Sequence, residues 1–531
     1  MFLFPHSQLL FAPSQTVVIS GPHIQLLDSR CATSPGTGAV LATTADRPIA
    51  KAGPIRVAAV DSTGTHLATA ADDKQLRLWR LDGLTLLNER ELPKKPTELA
   101  FTRDGQTILA SDKFGDIFSY ALHPTPQTAA QKSAALKSHE NPSGGALVLG
   151  HASFLTAFLL SPDEKFILTA DRDEHIRVSW FPQGYTIETY CFGHQKFVSA
   201  LHLPPFAPAL LVSGGGDPTL KVWDWIRGAC VREVSVQPAV APFIKVMPPE
   251  RTPRRFEDDG GADGEERSEG PKKRKRGRKQ KMKERQRKAA ADAEGSEPAE
   301  PEADADAVEA ADASEIAEPE PVFALRRIES LPSDAGGHLI FSAVGATALF
   351  ACRFPTASSD TEIEIDALDL GAPVLDFSIA TDERIWVCLD AQWEGASAGT
   401  PMVRVVRLAG GKLELVDADA PNPLLAALNS ACVLPATSPD LRALDLYLAL
   451  SALPKNRDAA HDPMDLGDVE NPPEELSAKE LGRLKSKRAL AKRGGGKGEG
   501  AGEGEGDEPA SKRARSDQLE GDTDVVMGGG P

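Results

Sequence analysis

Gly193-His-Gln-Lys-Phe-Val-Ser-Ala-Leu-His202, then Leu210-Leu-Val-Ser-Gly-Gly-Gly-Asp217, then Thr219-Leu-Lys-Val-Trp-Asp224 is the stretch that decides the fold. Short apolar phrases rich in β-branched and aromatic residues are separated by turn residues, the pattern of antiparallel strands and not of a helix. The phrase stands upstream as Phe154 to Leu160, Phe166 to Ala170 and Ile176 to Ser179, and again as Ile55 to Val60, His66 to Ala70 and Leu76 to Trp79. A unit of strands that returns at roughly 40 to 50 residues points to a β-propeller, whose small sheets bury their faces against one another. A looser unit, Pro96 to Tyr120, keeps the strand phrases but has Lys113 where the others have Asp. Further strand-like phrases stand at Thr16 to Ile19, Ile24 to Leu27, Phe323 to Arg326, Leu339 to Phe350, Val374 to Ile379, Ile385 to Leu389 and Val403 to Leu408. Together they predict an all-β propeller of about seven blades.

The units share chemistry as well as pattern. Asp73, Asp173 and Asp217 each stand six positions before Trp79, Ser179 and Trp223, and four positions before each Asp stands Thr69, Thr169 or Ser213. Two units open on Gly150-His151 and Gly193-His194, and only the unit from Gly193 to Trp223 has all four residue types together with the Trp223-Asp224 dipeptide. This spacing resembles WD-repeat proteins. The resemblance implies that His, Ser or Thr, Asp and Trp of one blade form a buried hydrogen-bonded chain, because buried polar groups must satisfy one another. The residues expected in such chains are His151, Thr169, His194, Ser213, Asp217, Trp223, Thr69, Asp73 and Trp79.

The formal charge of -18 warns against nucleic-acid binding, but much of the acid lies in two polar segments, so it describes tails and not a folded surface. The expected organisation is a first propeller part over 1–247, a disordered acidic and basic insertion over 248–321, a second propeller part over 322–453, and a low-complexity tail over 454–531, with a helix expected between Lys479 and Lys492. The six cysteines (Cys31, Cys191, Cys230, Cys352, Cys388 and Cys432) stand singly, which reads as reduced, buried thiols of an intracellular protein. Met1 to Phe11 lacks a basic leader and reads as a first strand. Leu339 to Cys352 is too short to span a bilayer and reads as two buried strands.

Little in the chain supports catalysis. Val212-Ser-Gly-Gly-Gly-Asp217 superficially resembles a nucleotide or S-adenosylmethionine loop, but a strand follows where phosphate-binding chemistry needs a helix N-terminus. His151 and His194 are expected beside an Asp, yet no recurring nucleophile accompanies them. No H-E-x-x-H or paired C-x-x-C supplies metal ligands.

One stretch is more specific. Asp171-Arg-Asp-Glu-His-Ile-Arg-Val-Ser-Trp-Phe-Pro-Gln-Gly-Tyr-Thr-Ile-Glu-Thr-Tyr-Cys-Phe-Gly-His-Gln-Lys-Phe-Val-Ser-Ala-Leu-His202 resembles the signature of the WD-repeat, non-catalytic subunit of the eukaryotic tRNA (guanine-N7)-methyltransferase, including Ser179 in place of Trp and the Gly-His-x-x-Phe-Val-Ser continuation. The close resemblance covers about Phe154 to Trp225. It implies no catalytic residue and no cofactor on this chain, a heterodimer with a separate methyltransferase subunit that binds S-adenosylmethionine, and tRNA contacted indirectly or weakly. It also implies partner docking on the side of the propeller, for which Arg172, Asp173, Glu174, His175, Arg177 and Lys196 are the candidates. Two of these have competing readings: Asp173 as the repeat's structural Asp, and Arg177 as a strand residue facing solvent. The basic run Lys272, Lys273, Arg274, Lys275 and Arg276, extending to Lys288, reads first as a nuclear import address and second as an auxiliary grip on RNA. The alternative function is a generic nuclear or nucleolar scaffold using the propeller top as a peptide reader; a third reading, the chain as the methyltransferase itself, lacks the strand-glycine-helix unit.

Overall fold

The computed structural model describes residues 2–29, 40–45, 52–124, 128, 130, 143–248, 322–333, 336–355, 363–397, 399–416 and 422–455. The chain divides into a unit of residues 1–457 and a second of 458–531. The expected insertion, with its import run Lys272 to Lys288, and the expected helix at Lys479 to Lys492 lie outside the described residues.

The first unit is a seven-bladed β-propeller. Seven four-stranded antiparallel sheets follow one another along the chain, each made from one continuous stretch: blade 1 spans 8–43, blade 2 55–91, blade 3 96–150, blade 4 155–191, blade 5 198–235, blade 6 325–369 and blade 7 374–415. The second and third strands of most blades are sandwiched between neighbouring sheets and are buried on both faces, as in Phe166–Asp171 and Ile176–Trp180. This is why their sequences read as near-continuous apolar runs with little alternation. Leu168 and Val178 of blade 4 pack with Val198, Leu211 and Trp223 of blade 5, and Val212 and Val222 of blade 5 pack with Leu339, Phe341 and Phe350 of blade 6. Outer strands such as Thr85–Glu91 are mostly exposed and carry the charges.

The innermost strands of blades 2 to 7 share one irregularity. Their register slips by one residue near the start, between Ile55 and Val57, Pro96 and Glu98, Leu155 and Ala157, Val198 and Ala200, Leu325 and Arg327, and Val374 and Asp376. Such a bulge re-aims the extra residue away from its own ladder. In blade 4 the freed Thr156 hydroxyl donates to Val198 O of blade 5, and in blade 5 the freed Ser199 hydroxyl donates to Leu325 O of blade 6. These two bulges thus join blade 4 to blade 5 and blade 5 to blade 6 beside a central channel of about 660 Å³.

The ring closes where blade 1 meets blade 7. Leu9, Val18 and Leu27 pack with Leu375, Trp386 and Val405, and the Ser378 hydroxyl donates to Leu9 O at 2.7 Å. Phe2–Leu3 pairs antiparallel with Pro435–Ala436.

The expected propeller part over 322–453 ends earlier than its boundary. The last blade strand stops at Leu415, and the described residues 422–455 carry, besides Pro435–Ala436, three short helices, Pro423–Leu428, Ser438–Leu444 and Leu448–Ala452. The cause is local: Asn422 caps the first, and Thr437 and Asp440 form a reciprocal capping box on the second. The latter two helices lie over one mouth of the channel. Arg56 of blade 2 donates to Ala443 O and Leu444 O, the Tyr447 hydroxyl donates to Asp390 of blade 7 at 2.7 Å, and Leu450 and Leu453 pack with Phe197, Ala324 and Val344. Leu444 and Phe4 crowd Gly21 of blade 1, whose φ of +58° and lack of room for a Cβ both call for glycine.

The five described cysteines are free. Four are buried, and Cys230, expected inside, is exposed on the outer strand of blade 5. Among the described residues, no helix is long and apolar enough to cross a membrane.

Candidate protein-docking face

In blade 5 the residues of the WD chain meet. His194 Nδ1 lies 2.6 Å from Asp217 Oδ2, His194 Nε2 lies 2.7 Å from Ser213 Oγ, and Trp223 Nε1 donates to the same hydroxyl at 2.8 Å. The ionised Asp217 carboxylate only accepts, so Nδ1 donates to it, and Ser213 closes on the other ring nitrogen. Both nitrogens of His194 are thereby engaged within its own blade. Burial alone would raise the Asp217 carboxyl, but the bonds from His194 and from the Gln195 and Lys196 amides hold it below the usual carboxylate range.

The glycines beside it serve packing. A Cβ on Gly215 would sit 1.9 Å from Phe197 O, and the following Thr219–Asp224 is a strand, so the cluster makes a close approach between strands. Among the described residues no group of His, Cys, Asp and Glu is arranged to hold a metal ion.

Blade 4 departs from the expected pattern. His151 binds Thr169 Oγ1 at 2.8 Å through Nε2, but its Nδ1 faces Asp171 at 3.1 Å, so Asp171 and not Asp173 is the structural carboxylate. Asp171 sits at the end of its strand and also accepts from the Asp173 and His175 amides, which shapes the turn. Against the upward push of burial, these bonds lower its pKa. Ser179, in the position of the missing indole, is buried with no hydrogen-bond partner among the described residues. Blade 2 is looser: Trp79 Nε1 donates to Thr69 at 2.9 Å, while Asp73 stays out of that chain and pairs with Arg77.

The six charged candidates separate accordingly. Arg172, Asp173, Glu174 and His175 lie on the turn between the second and third strands of blade 4, and Lys196 is exposed on the loop entering blade 5. Arg172 is half-buried, with its Nε unpartnered among the described residues. Arg177 is only 8% exposed and donates to Gly150 O of blade 3 at 3.0 Å, so it neither faces solvent nor has much surface to offer. Asp173 and Glu174 already face a cation of the same chain, Lys455, at 3.7 and 2.6 Å.

Two further features escaped the sequence reading. Phe192 is 63% exposed, stacked on Tyr190 at 5.1 Å and edge-on to His175 at 6.0 Å. The signal was Tyr190-Cys-Phe192, in which two aromatics flank the buried Cys191 that ends an outer strand. Exposed aromatics of this kind are enriched at protein interfaces. The second is Glu98 in the channel wall. Enclosure pushes its carboxyl up to about 7, although it accepts from Phe158 N at 2.6 Å. Nearby in the channel Arg327 is held by Glu329 and Asp376, an ion set that joins blade 6 to blade 7.

Residues 44–146 and 130–257 match the family profile described as "tRNA methyltransferase TRM82 WD40 domain". Among curated relatives, "tRNA (guanine-N(7)-)-methyltransferase non-catalytic subunit trm82" of Aspergillus oryzae is 39% identical over 214 residues, 32% of this chain and 43% of that protein. "tRNA (guanine-N(7)-)-methyltransferase non-catalytic subunit WDR4" of Homo sapiens is 36% identical over 210 residues, 39% of this chain and 43% of that protein. The chain therefore spans less than half the length of these relatives. Among solved structures, a chain of "Crystal Structure of Mitotic Checkpoint Complex" is similar at a TM-score of 0.43 and 11% identity, covering 73% of this chain and 90% of that one.

Proposed function

We propose, from the premise that residues 44–257 carry a WD40 domain of the TRM82 family, that this chain is the non-catalytic subunit of a tRNA (guanine-N7)-methyltransferase. In this reading it binds a separate catalytic subunit as a heterodimer, and that subunit holds S-adenosylmethionine and modifies the tRNA. The supporting observation is the corner of blades 4 and 5, where the turn Arg172 to His175 meets the exposed Phe192 through His175, Lys196 is exposed on the loop entering blade 5, and the histidines of the repeat are engaged in internal bonds. A partner of mixed charge with an apolar pocket fits this surface, and removing one side of a desolvated charge pair costs several kcal/mol.

The test is reconstitution from purified chains with tRNA and labelled S-adenosylmethionine. Methyl transfer is expected only when this chain and the catalytic subunit are both present, and Lys196→Glu with Arg172→Glu should abolish co-purification while leaving the melting profile intact. Methylation by this chain alone, or a heterodimer that survives the double reversal, would overturn the function or the docking site respectively.

A scaffold that reads peptides on the propeller top is the less favoured reading, since residues 438–455 of the chain itself lie over that mouth. For localisation, the run Lys272 to Lys288 supports residence in the nucleus. Deleting the run should abolish nuclear accumulation of a tagged chain; unchanged accumulation would place the address elsewhere.

A further inference from the structure

We propose that Lys455 is a built-in competitor of the partner: in the free chain it fills a cation-accepting site made by Asp173 and Glu174, and a lysine or arginine of the partner displaces it on docking. This rests on the docking reading above and adds a regulatory contact to it.

The argument begins with two turns that share a plan. Asp72-Asp73-Lys74 of blade 2 and Arg172-Asp173-Glu174 of blade 4 occupy the same place between second and third strands, and their third residues have the same left-handed backbone, φ 62° at Lys74 and 73° at Glu174. In blade 2 the arginine four positions after the acid, Arg77, closes back on Asp73. The equivalent Arg177 of blade 4 is diverted to Gly150 O, so no arginine of the third strand neutralises Asp173. The acidic pair is left for a cation from outside the blade.

Lys455 supplies that cation. It follows the last helix of the C-terminal segment, which Tyr447, Leu450 and Leu453 anchor over the channel, and its ammonium donates to Glu174 Oε1 at 2.6 Å. The turn has its own support apart from this contact, since the Asp171 carboxylate accepts from the Asp173 and His175 amides. The contact is also exchangeable: the side chains of Lys455 and Glu174 are 50% and 31% exposed, and ion pairs at such sites are weak. Beside them stand His175 and the exposed Phe192, so a partner seated on the aromatic would bring its own side chains within reach of the two carboxylates.

The experiment is a double-mutant cycle on the full chain, with affinity for the purified catalytic methyltransferase subunit measured by calorimetry. Lys455→Ala should tighten binding about threefold, the size expected for removing a weak internal competitor. Asp173→Asn with Glu174→Gln should weaken it about tenfold, and Lys455→Ala should then have no further effect. Unchanged or weaker binding by Lys455→Ala, or a gain that persists in the neutralised background, would overturn the proposal while leaving the heterodimer intact. Absence of binding by the wild-type chain would remove the docking reading and this inference together.

Discussion

Ser213 is the residue on which blade 5 turns, because one hydroxyl serves both the imidazole of His194 and the indole of Trp223. Its replacement by alanine strands two buried N–H or N groups at once, and each unsatisfied group costs about 1 to 3 kcal/mol. Ser213→Ala should therefore lower unfolding stability by about 2 kcal/mol or more in urea titrations, whereas the same change at the already unpartnered Ser179 should cost much less. Glu98 sets a different dependence. Its folded carboxyl keeps a proton up to about 7, well above the ordinary 4.5, so between these values the folded chain holds more protons than the unfolded one. Raising the pH through that window then favours unfolding. Stability should fall by about 2 kcal/mol from pH 4.5 to pH 7 through this group alone, less than a dry carboxyl would give because the channel screens it. Glu98→Gln should flatten that part of the profile, as urea midpoints at pH 5 and pH 8 would reveal.

At the scale of elements, the strands were legible and the helices were not. Val212-Ser-Gly-Gly-Gly-Asp217 and its counterparts announce strand and turn through apolar runs and breakers, and the observed strands Leu210–Gly215 and Thr219–Asp224 match them closely. The helices after Asn422 are each under eight residues, too short for helical periodicity to separate from a strand phrase; the local signs were Asn422-Pro423 and the capping box at Thr437 and Asp440. The exchange of Asp171 for Asp173 in blade 4 was hidden for a related reason. Position in an alignment fixes distance along the chain, but turn shape decides which carboxylate meets the imidazole, and Asp217 reaches His194 from a glycine-rich turn that blade 4 lacks. Phe192 was overlooked because an aromatic beside a strand is read as core by default. The helical segment also has measurable weight: Leu450 is 1% exposed among Phe197, Ala324 and Val344. Leu450→Ala should cost about 2 to 4 kcal/mol through lost burial and the cavity it leaves. Hydrogen exchange in residues 447–453 should accelerate with it.

For the molecule as a whole, each blade is cut from one continuous stretch and neighbours are joined mainly by side chains, so the architecture could be read unit by unit from the repeating phrases. The closure could not, because it depends on pairs hundreds of residues apart, Leu9 with Ser378 and Phe2–Leu3 with Pro435–Ala436. One crossing between blades has a practical outcome. After blade 5 the chain passes onto blade 6 before residue 249: Ile244 bridges to Ala346, and the Lys245 amide donates to Gly345 O at 2.9 Å. The return strand, Leu325–Leu331, is the innermost strand of that same blade. After a cut anywhere in 249–321, residues 244–245 on one side and Leu325–Leu331 on the other would thus stay fastened to one sheet, and the two fragments should run apart on a denaturing gel yet travel as a single particle through a sizing column.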